Sequence, residues 1–188
     1  MSAILELPEV RQRVSHLSVE EYHRLDEYNE NGKRTELIRG IVIEKMSKSP
    51  LHRTIGTLLH ETILPLLPPG FMVWKEEPLT FADSEPEPDI AVIRGVMRDY
   101  AASNPTTAEL VVEVAVSSAS LDRENVSLYA EAGVKEYWIV LAKERRVEVY
   151  RQPQEGAYLE KVVVAPPEVL VCAAVPEIAV GLEELFAG

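Results

Sequence analysis

The run Leu110-Val111-Val112-Glu113-Val114-Ala115-Val116 commits this chain to a covered β-sheet. A half-solvated strand alternates apolar and polar residues. A run that is apolar at nearly every position belongs instead to a strand buried on both faces, near the middle of a sheet with material packed on each side. The exception inside the run is Glu113, a carboxylate where an unpaired charge is costly to bury, so it needs a partner, a proton or a metal.

The rest of the sequence supplies the flanking layers. Ser18-Val19-Glu20-Glu21 is a capping box that opens a helix over about 18–30, with Tyr22, Leu25 and Tyr28 at helical spacing and Asn31-Gly32 as the stop. Thr35 to Ile38 and Ile41 to Ile43 read as a hairpin turning at Gly40. Leu51, Ile55, Leu58, Leu59, Ile63 and Leu66 predict a core-facing helix over 51–66, ended by Pro68-Pro69-Gly70. Short strands are expected at Phe71–Trp74, Leu79–Phe81 and Pro88–Ile93, and the loop from Arg94 to Thr107 has weak signals. A helix over Leu121–Ala132 is capped by Gly133. Strands return at Tyr137–Leu141, Val147–Tyr150 and Tyr158–Val164, and Gly181–Phe186 is a short helix or turn. This order predicts an α/β (α+β) fold, a mixed central sheet flanked by helices. A length of 188 residues suits one domain, expected over 18–188 after an N-terminal extension at 1–17.

Charge and composition narrow the partners. The formal net charge is −12, which argues against unspecific attraction to nucleic acid or anionic membranes. Any nucleic-acid contact must therefore be local. Between Lys33 and Arg53, six cations (Lys33, Arg34, Arg39, Lys45, Lys48 and Arg53) face only Glu36 and Glu44, either as a phosphate-facing patch or as a solvated mixed face. Lys75 to Asp89 is by contrast strongly acidic. No stretch approaches the ~20 apolar residues of a membrane span. Cys172 is the one cysteine, which precludes an internal disulfide and suits the cytoplasm.

Asp89, after Pro88 at the start of one expected strand, and Glu113, in another, lie 24 residues apart, room for neighbouring strands plus a connection. With Glu36 of the hairpin they would form a hard oxygen site for Mg²⁺ or Mn²⁺, completed by water and a substrate phosphate. Such sites hydrolyse phosphodiesters. The plainer alternative is that Glu113 pairs with an arginine and Asp89 caps a turn.

Five separated blocks occur in the order of a known family: Thr35-Glu36-Leu37-Ile38-Arg39-Gly40; His52; Pro88-Asp89; Val112 to Ser117; and Leu128 to Trp138. In this combination, over roughly residues 18–186, the chain resembles the Uma-two family, bacterial proteins classed as restriction endonucleases. The resemblance implies the PD-(D/E)xK restriction-endonuclease-like fold, with Asp89 and Glu113 as metal-bound acids and Glu36 as a further acid. It also implies a catalytic lysine on the helix after the glutamate strand, four residues before the position of Tyr129. Here that position is Asn125, a neutral dipole in place of a cation. Arg123, two residues earlier, is a candidate substitute, although residues two apart do not share a helix face.

Two functions follow from these readings. The first is a Mg²⁺- or Mn²⁺-dependent DNA endonuclease with Glu36, Asp89, Glu113 and Asn125 at the catalytic site and His52, Arg53 and Arg123 on the substrate. The second is a non-catalytic nucleic-acid- or protein-binding module on the same fold, with Asn125 as its main support. The apolar run Val169–Val175 is either a core strand or a dimer seam, and two nicks in duplex DNA need two sites, which points toward a homodimer.

Overall fold

Ser18 opens the first expected helix in the computed structural model, which describes residues 7–11, 13–26 and 32–187. The capping box forms as the sequence requires: the Ser18 N–H donates to Glu21 Oε2 at 2.8 Å and the Glu21 N–H to Ser18 Oγ at 3.2 Å. The expected Tyr28 and Asn31 positions lie outside the described residues. A four-residue helix also forms within the expected N-terminal extension. The elements so far are α1 (Pro8–Arg11), α2 (Val19–Asp26), β1 (Thr35–Ile38) and β2 (Ile41–Glu44). They belong to one of two compact units, the described part of Met1–Met46 with Ala82–Pro86. β1 and β2 pair antiparallel through the two-residue turn Arg39-Gly40, both at positive φ (52° and 75°), the backbone that a tight hairpin demands. Glycine is required for space as well, since a Cβ on Gly40 would come within 2.6 Å of His16 Cβ.

The second unit comprises Ser47–Phe81 and Glu87–Gly188. Its elements are α3 (Pro50–Ile63), β3 (Phe71–Trp74), β4 (Ile90–Arg94), β5 (Leu110–Ala115), α4 (Ala119–Glu131), β6 (Glu136–Leu141), β7 (Arg146–Gln154), β8 (Ala157–Val164), β9 (Val169–Val171), β10 (Ala179–Gly181) and α5 (Leu182–Leu185). Strands β3 to β8 form one six-stranded sheet in sequential order. Every pairing in it is antiparallel except β5 with β6, which run parallel. That pair needs a crossover, and α4 provides it.

The strand of the apolar run sits inside the sheet, between β4 and β6, with a core on each side. Ile90, Val92, Leu110, Val112 and Val114 pack on Ile55, Leu59 and Ile63 of α3 and on the C-terminal segment. Ala91, Ile93, Val111 and Ala115 alternate to the other face, toward Tyr129 of α4. Period-2 alternation puts Glu113 on the α4 face.

Two expectations are corrected. Leu79–Phe81 is not a strand: Leu79 is fully buried, but the Thr80 N–H bonds the Pro105 carbonyl across a loop instead of entering a ladder. The predicted second helix ends at Ile63, with Leu64–Leu66 as a 3₁₀ turn containing Pro65. The Val169–Val175 run contributes β9, whose Leu170 enters the core while Val169 and Val171 stay exposed. No helix among the described residues is long and apolar enough to cross a membrane.

Candidate active site

The start of β4 meets the middle of β5, and two carboxylates lock the junction. Ile90 is paired with Val112, and one further step of that register sets Asp89 opposite Glu113. Each acid then satisfies a backbone group of the facing segment. Asp89 Oδ2 accepts the Val114 N–H at 2.8 Å, and Glu113 Oε2 accepts the Asp89 N–H at 3.3 Å. Glu113 Oε1 takes the hydroxyl of Tyr129, a fully buried α4 side chain, at 3.0 Å. The glutamate inside the apolar run is thus explained locally: it is half-buried and hydrogen-bonded at both oxygens.

Asp89 also faces two basic groups. Lys48 Nζ lies 2.7 Å from Oδ1, and His52 Nε2 lies 3.0 Å from Oδ2. Lys48 reaches Glu76 Oε2 at 3.2 Å as well. Both bases are held by the start of α3, where Ser49 is the N-cap, Pro50 follows it, and the His52 N–H donates to Ser49 Oγ. His52 Nδ1 is buried with no hydrogen-bond partner among the described residues.

The electrostatics follow from this packing. Burial pushes the Asp89 carboxyl up, but the hydrogen bond and attraction of His52 and the charge of Lys48 outweigh it and hold the group at about 2. Burial works against the Lys48 ammonium, yet the charge of Asp89 and the bonds to Asp89 and Glu76 raise it above its ordinary value. Asp89 and Lys48 are therefore both charged at neutral pH. They open on a cavity of about 170 Å³ lined also by His52, Arg53, Gly56, Thr57, Lys75 and Glu76.

The chain matches the family model described as "Putative restriction endonuclease", that of Uma2, over residues 19–183. It belongs to the Uma2 family. A crystal structure of a putative nuclease from Anabaena variabilis resembles it with a TM-score of 0.75 and 21% identity, over 91% of this chain and 98% of that one. The likeness shows the fold, a mixed sheet flanked by helices. No curated protein matches the sequence.

Within this Uma2 chain the sequence candidates divide. Asp89 and Glu113 are brought together, and His52 joins them. Arg53 lines the same cavity. Asn125 is buried on α4 and is not among the residues that line it. Arg123 is committed elsewhere: its guanidinium forks onto Glu148 of β7, with Nη2 at 2.7 Å and Nε at 3.1 Å. Glu36 stands in β1 of the first unit, 3.6 Å from Lys45. Ser118 is the N-cap of α4, but its hydroxyl donates to Asp122 Oδ2 and accepts no helix N–H.

Sequence reasoning missed Lys48, Glu76 and the role of the Tyr129 hydroxyl. The signal for Lys48 was its position four residues before His52, across an N-cap and a proline. The signal for Tyr129 was its helical spacing on the face toward Glu113.

A divalent cation can be tested against this donor set. Among the described residues no group of three His, Cys, Asp or Glu side chains could hold a metal ion. Two carboxylates at facing positions nonetheless suit Mg²⁺, which keeps several waters and takes one or two carboxylates plus substrate phosphate. Asp89 Oδ1 would have to exchange Lys48 for the cation.

Proposed function

We propose that this Uma2 chain is a Mg²⁺- or Mn²⁺-dependent nuclease that hydrolyses phosphodiester bonds in DNA, with Asp89 and Glu113 as its metal-holding acids. The observation that carries the reading is an ionised, largely buried aspartate lining a cavity that also bears Lys48, His52, Arg53 and Lys75. An anionic phosphate suits such a lining, and a carboxylate kept ionised is ready to hold a cation at neutral pH.

A bound metal would supply charge neutralisation on the phosphate and a more acidic water. The chain's own residues do the positioning. Val114 N–H and His52 orient Asp89 Oδ2, and Tyr129 together with the Asp89 N–H orients Glu113. His52, Arg53 and Lys75 favour entry of the phosphate. In hydrolysis the water oxygen bonds to phosphorus as one P–O bond to the sugar breaks. The water gives up one proton and the departing alkoxide takes one, leaving a phosphate monoester and an alcohol.

The test is nicking of supercoiled plasmid by purified protein with Mg²⁺ or Mn²⁺, alongside Asp89→Ala, Glu113→Ala and Asn125→Lys. Nicking by wild type that both alanine variants lose supports the reading. Nicking that survives in Asp89→Ala refutes it.

The second reading, a nucleic-acid-binding module without chemistry, draws on Asn125 and on the lysine already seated on Asp89. Its signature is an inert wild type that still binds duplex DNA. Cleavage by Asn125→Lys alone would locate the lost chemistry at that position.

A further inference from the structure

We propose that Lys48 is the catalytic cation of this site, the residue that places a positive charge on the reacting phosphate or its attacking water where Asn125 supplies none. The proposal rests on the nuclease reading and names a residue that reading does not assign.

Three observations carry it. The first is contact: Lys48 Nζ is 2.7 Å from Asp89 Oδ1 and 3.2 Å from Glu76 Oε2, and its side chain lines the cavity that Asp89 faces. An ammonium has three N–H bonds, so these two acceptors leave one for a phosphate oxygen or a water.

The second is placement. Lys48 immediately precedes Ser49, whose extended backbone (φ −66°, ψ 161°) and capping hydroxyl are fixed by α3. A lysine stem four carbons long, anchored at a helix start, can swing from a carboxylate to a phosphate without moving the backbone. The cation therefore has a route off Asp89 when a metal takes its place there.

The third is the fate of the other cations. Arg123 is forked onto Glu148, which also takes Lys161. Lys75 stands 3.9 Å from Glu76, and Arg53 is exposed at the cavity wall. Asn125, on α4, is not among the cavity-lining residues. Among the described residues, Lys48 is the one lysine or arginine in an ion pair with Asp89 that the structure records.

The test compares Lys48→Met and Lys48→Gln with wild type and Asp89→Ala. Nicking rate is measured in Mn²⁺, Mn²⁺ binding by calorimetry in the absence of DNA, and folding by thermal melting. Gln keeps a donor to Asp89 but no charge, so it serves if Met disturbs the fold. The expected result is a loss of nicking of about a hundredfold or more in both Lys48 variants, the scale of removing one charge-stabilising donor. Mn²⁺ should bind them as tightly as wild type or more so, because a competing cation has gone, whereas Asp89→Ala loses it.

Wild-type nicking in Lys48→Gln overturns the proposal and leaves the nuclease reading standing. Lost nicking together with weakened Mn²⁺ binding also overturns it, because Lys48 would then act only by holding Asp89 in place. A wild type that nicks nothing overturns this proposal together with the nuclease reading.

Discussion

Glu148 provides a sharp test of how charge is used away from the site. On β7, its carboxylate accepts Arg123 through Nε and Nη2, Lys161 at 3.0 Å and the Tyr150 hydroxyl at 2.7 Å, and its side chain is 6% exposed. The Arg123 hydrogen bond is the largest influence and, against burial and with help from Tyr150 and Lys161, holds the carboxyl at about 2, from an ordinary 4.5. That lowering corresponds to about 3 kcal/mol at about 1.4 kcal/mol per pH unit. Arg123 and Lys161 are 42% and 47% exposed, so solvent screening reduces the expected contribution to about 2 kcal/mol. Because the folded value lies below the unfolded one, this stability is complete above the unfolded value and is lost as pH falls from about 4.5 toward 2. Glu148→Gln keeps the shape and removes the charge. Urea unfolding at pH 7 should show a loss of about 2 kcal/mol, about 4–8 °C in melting temperature for a chain of this size. At pH 3 less than half of that difference should remain. An equal loss at both pH values would refute the electrostatic account and assign the effect to packing; no loss at pH 7 would show that the network contributes nothing.

Two further outcomes follow from the fold. Leu59 is 1% exposed at the α3–sheet contact, so Leu59→Ala should lower unfolding free energy by about 2–5 kcal/mol; a loss below about 1 kcal/mol in a urea titration would mean that the helix does not pack as described. Gly133 ends α4 at φ 70°, and a Cβ there would meet nothing nearer than Thr107 Oγ1 at 3.9 Å. Gly133→Ala should therefore cost about 1–2 kcal/mol from backbone strain alone, with Gly133→Asn recovering part of it; equal stabilities by thermal melting would contradict that origin.

What the sequence made legible was decided by the range of the interactions. The capping box at Ser18, the Arg39-Gly40 turn and the Gly133 stop are local, so residue type and spacing suffice to find them. β5 was legible for a different reason: a strand covered on both faces leaves a continuous apolar record. Leu79–Phe81 carries the same kind of residues over a shorter span, but whether an extended segment joins a sheet depends on a partner, and Thr80 finds Pro105 in a loop. Arg123 illustrates the same limit. Its separation from Asn125 on the helix could be reasoned from the sequence, whereas its bond to Glu148, 25 residues further on, depends on where β7 is laid in the sheet.

The site divides along that line too. Asp89 and Glu113 stood out because carboxylates in apolar strands need partners. Lys48 did not, because a lysine in a polar stretch is unremarkable until its ammonium is found on a carboxylate 41 residues away. The positive run from Lys33 to Arg53 changes meaning accordingly. Lys33 pairs with Glu44, Arg39 with Asp83, Lys45 with Glu36, and Lys48 with Asp89. At least four of the six cations thus have carboxylate partners within the protein, so the run is mostly an internally compensated surface. With a net charge of −12, affinity for a polyanion cannot come from a broad basic field. On the proposed nuclease reading it is concentrated at the cavity lined by Asp89, Lys48, His52, Arg53 and Lys75, and local phosphate capture there is what that reading requires.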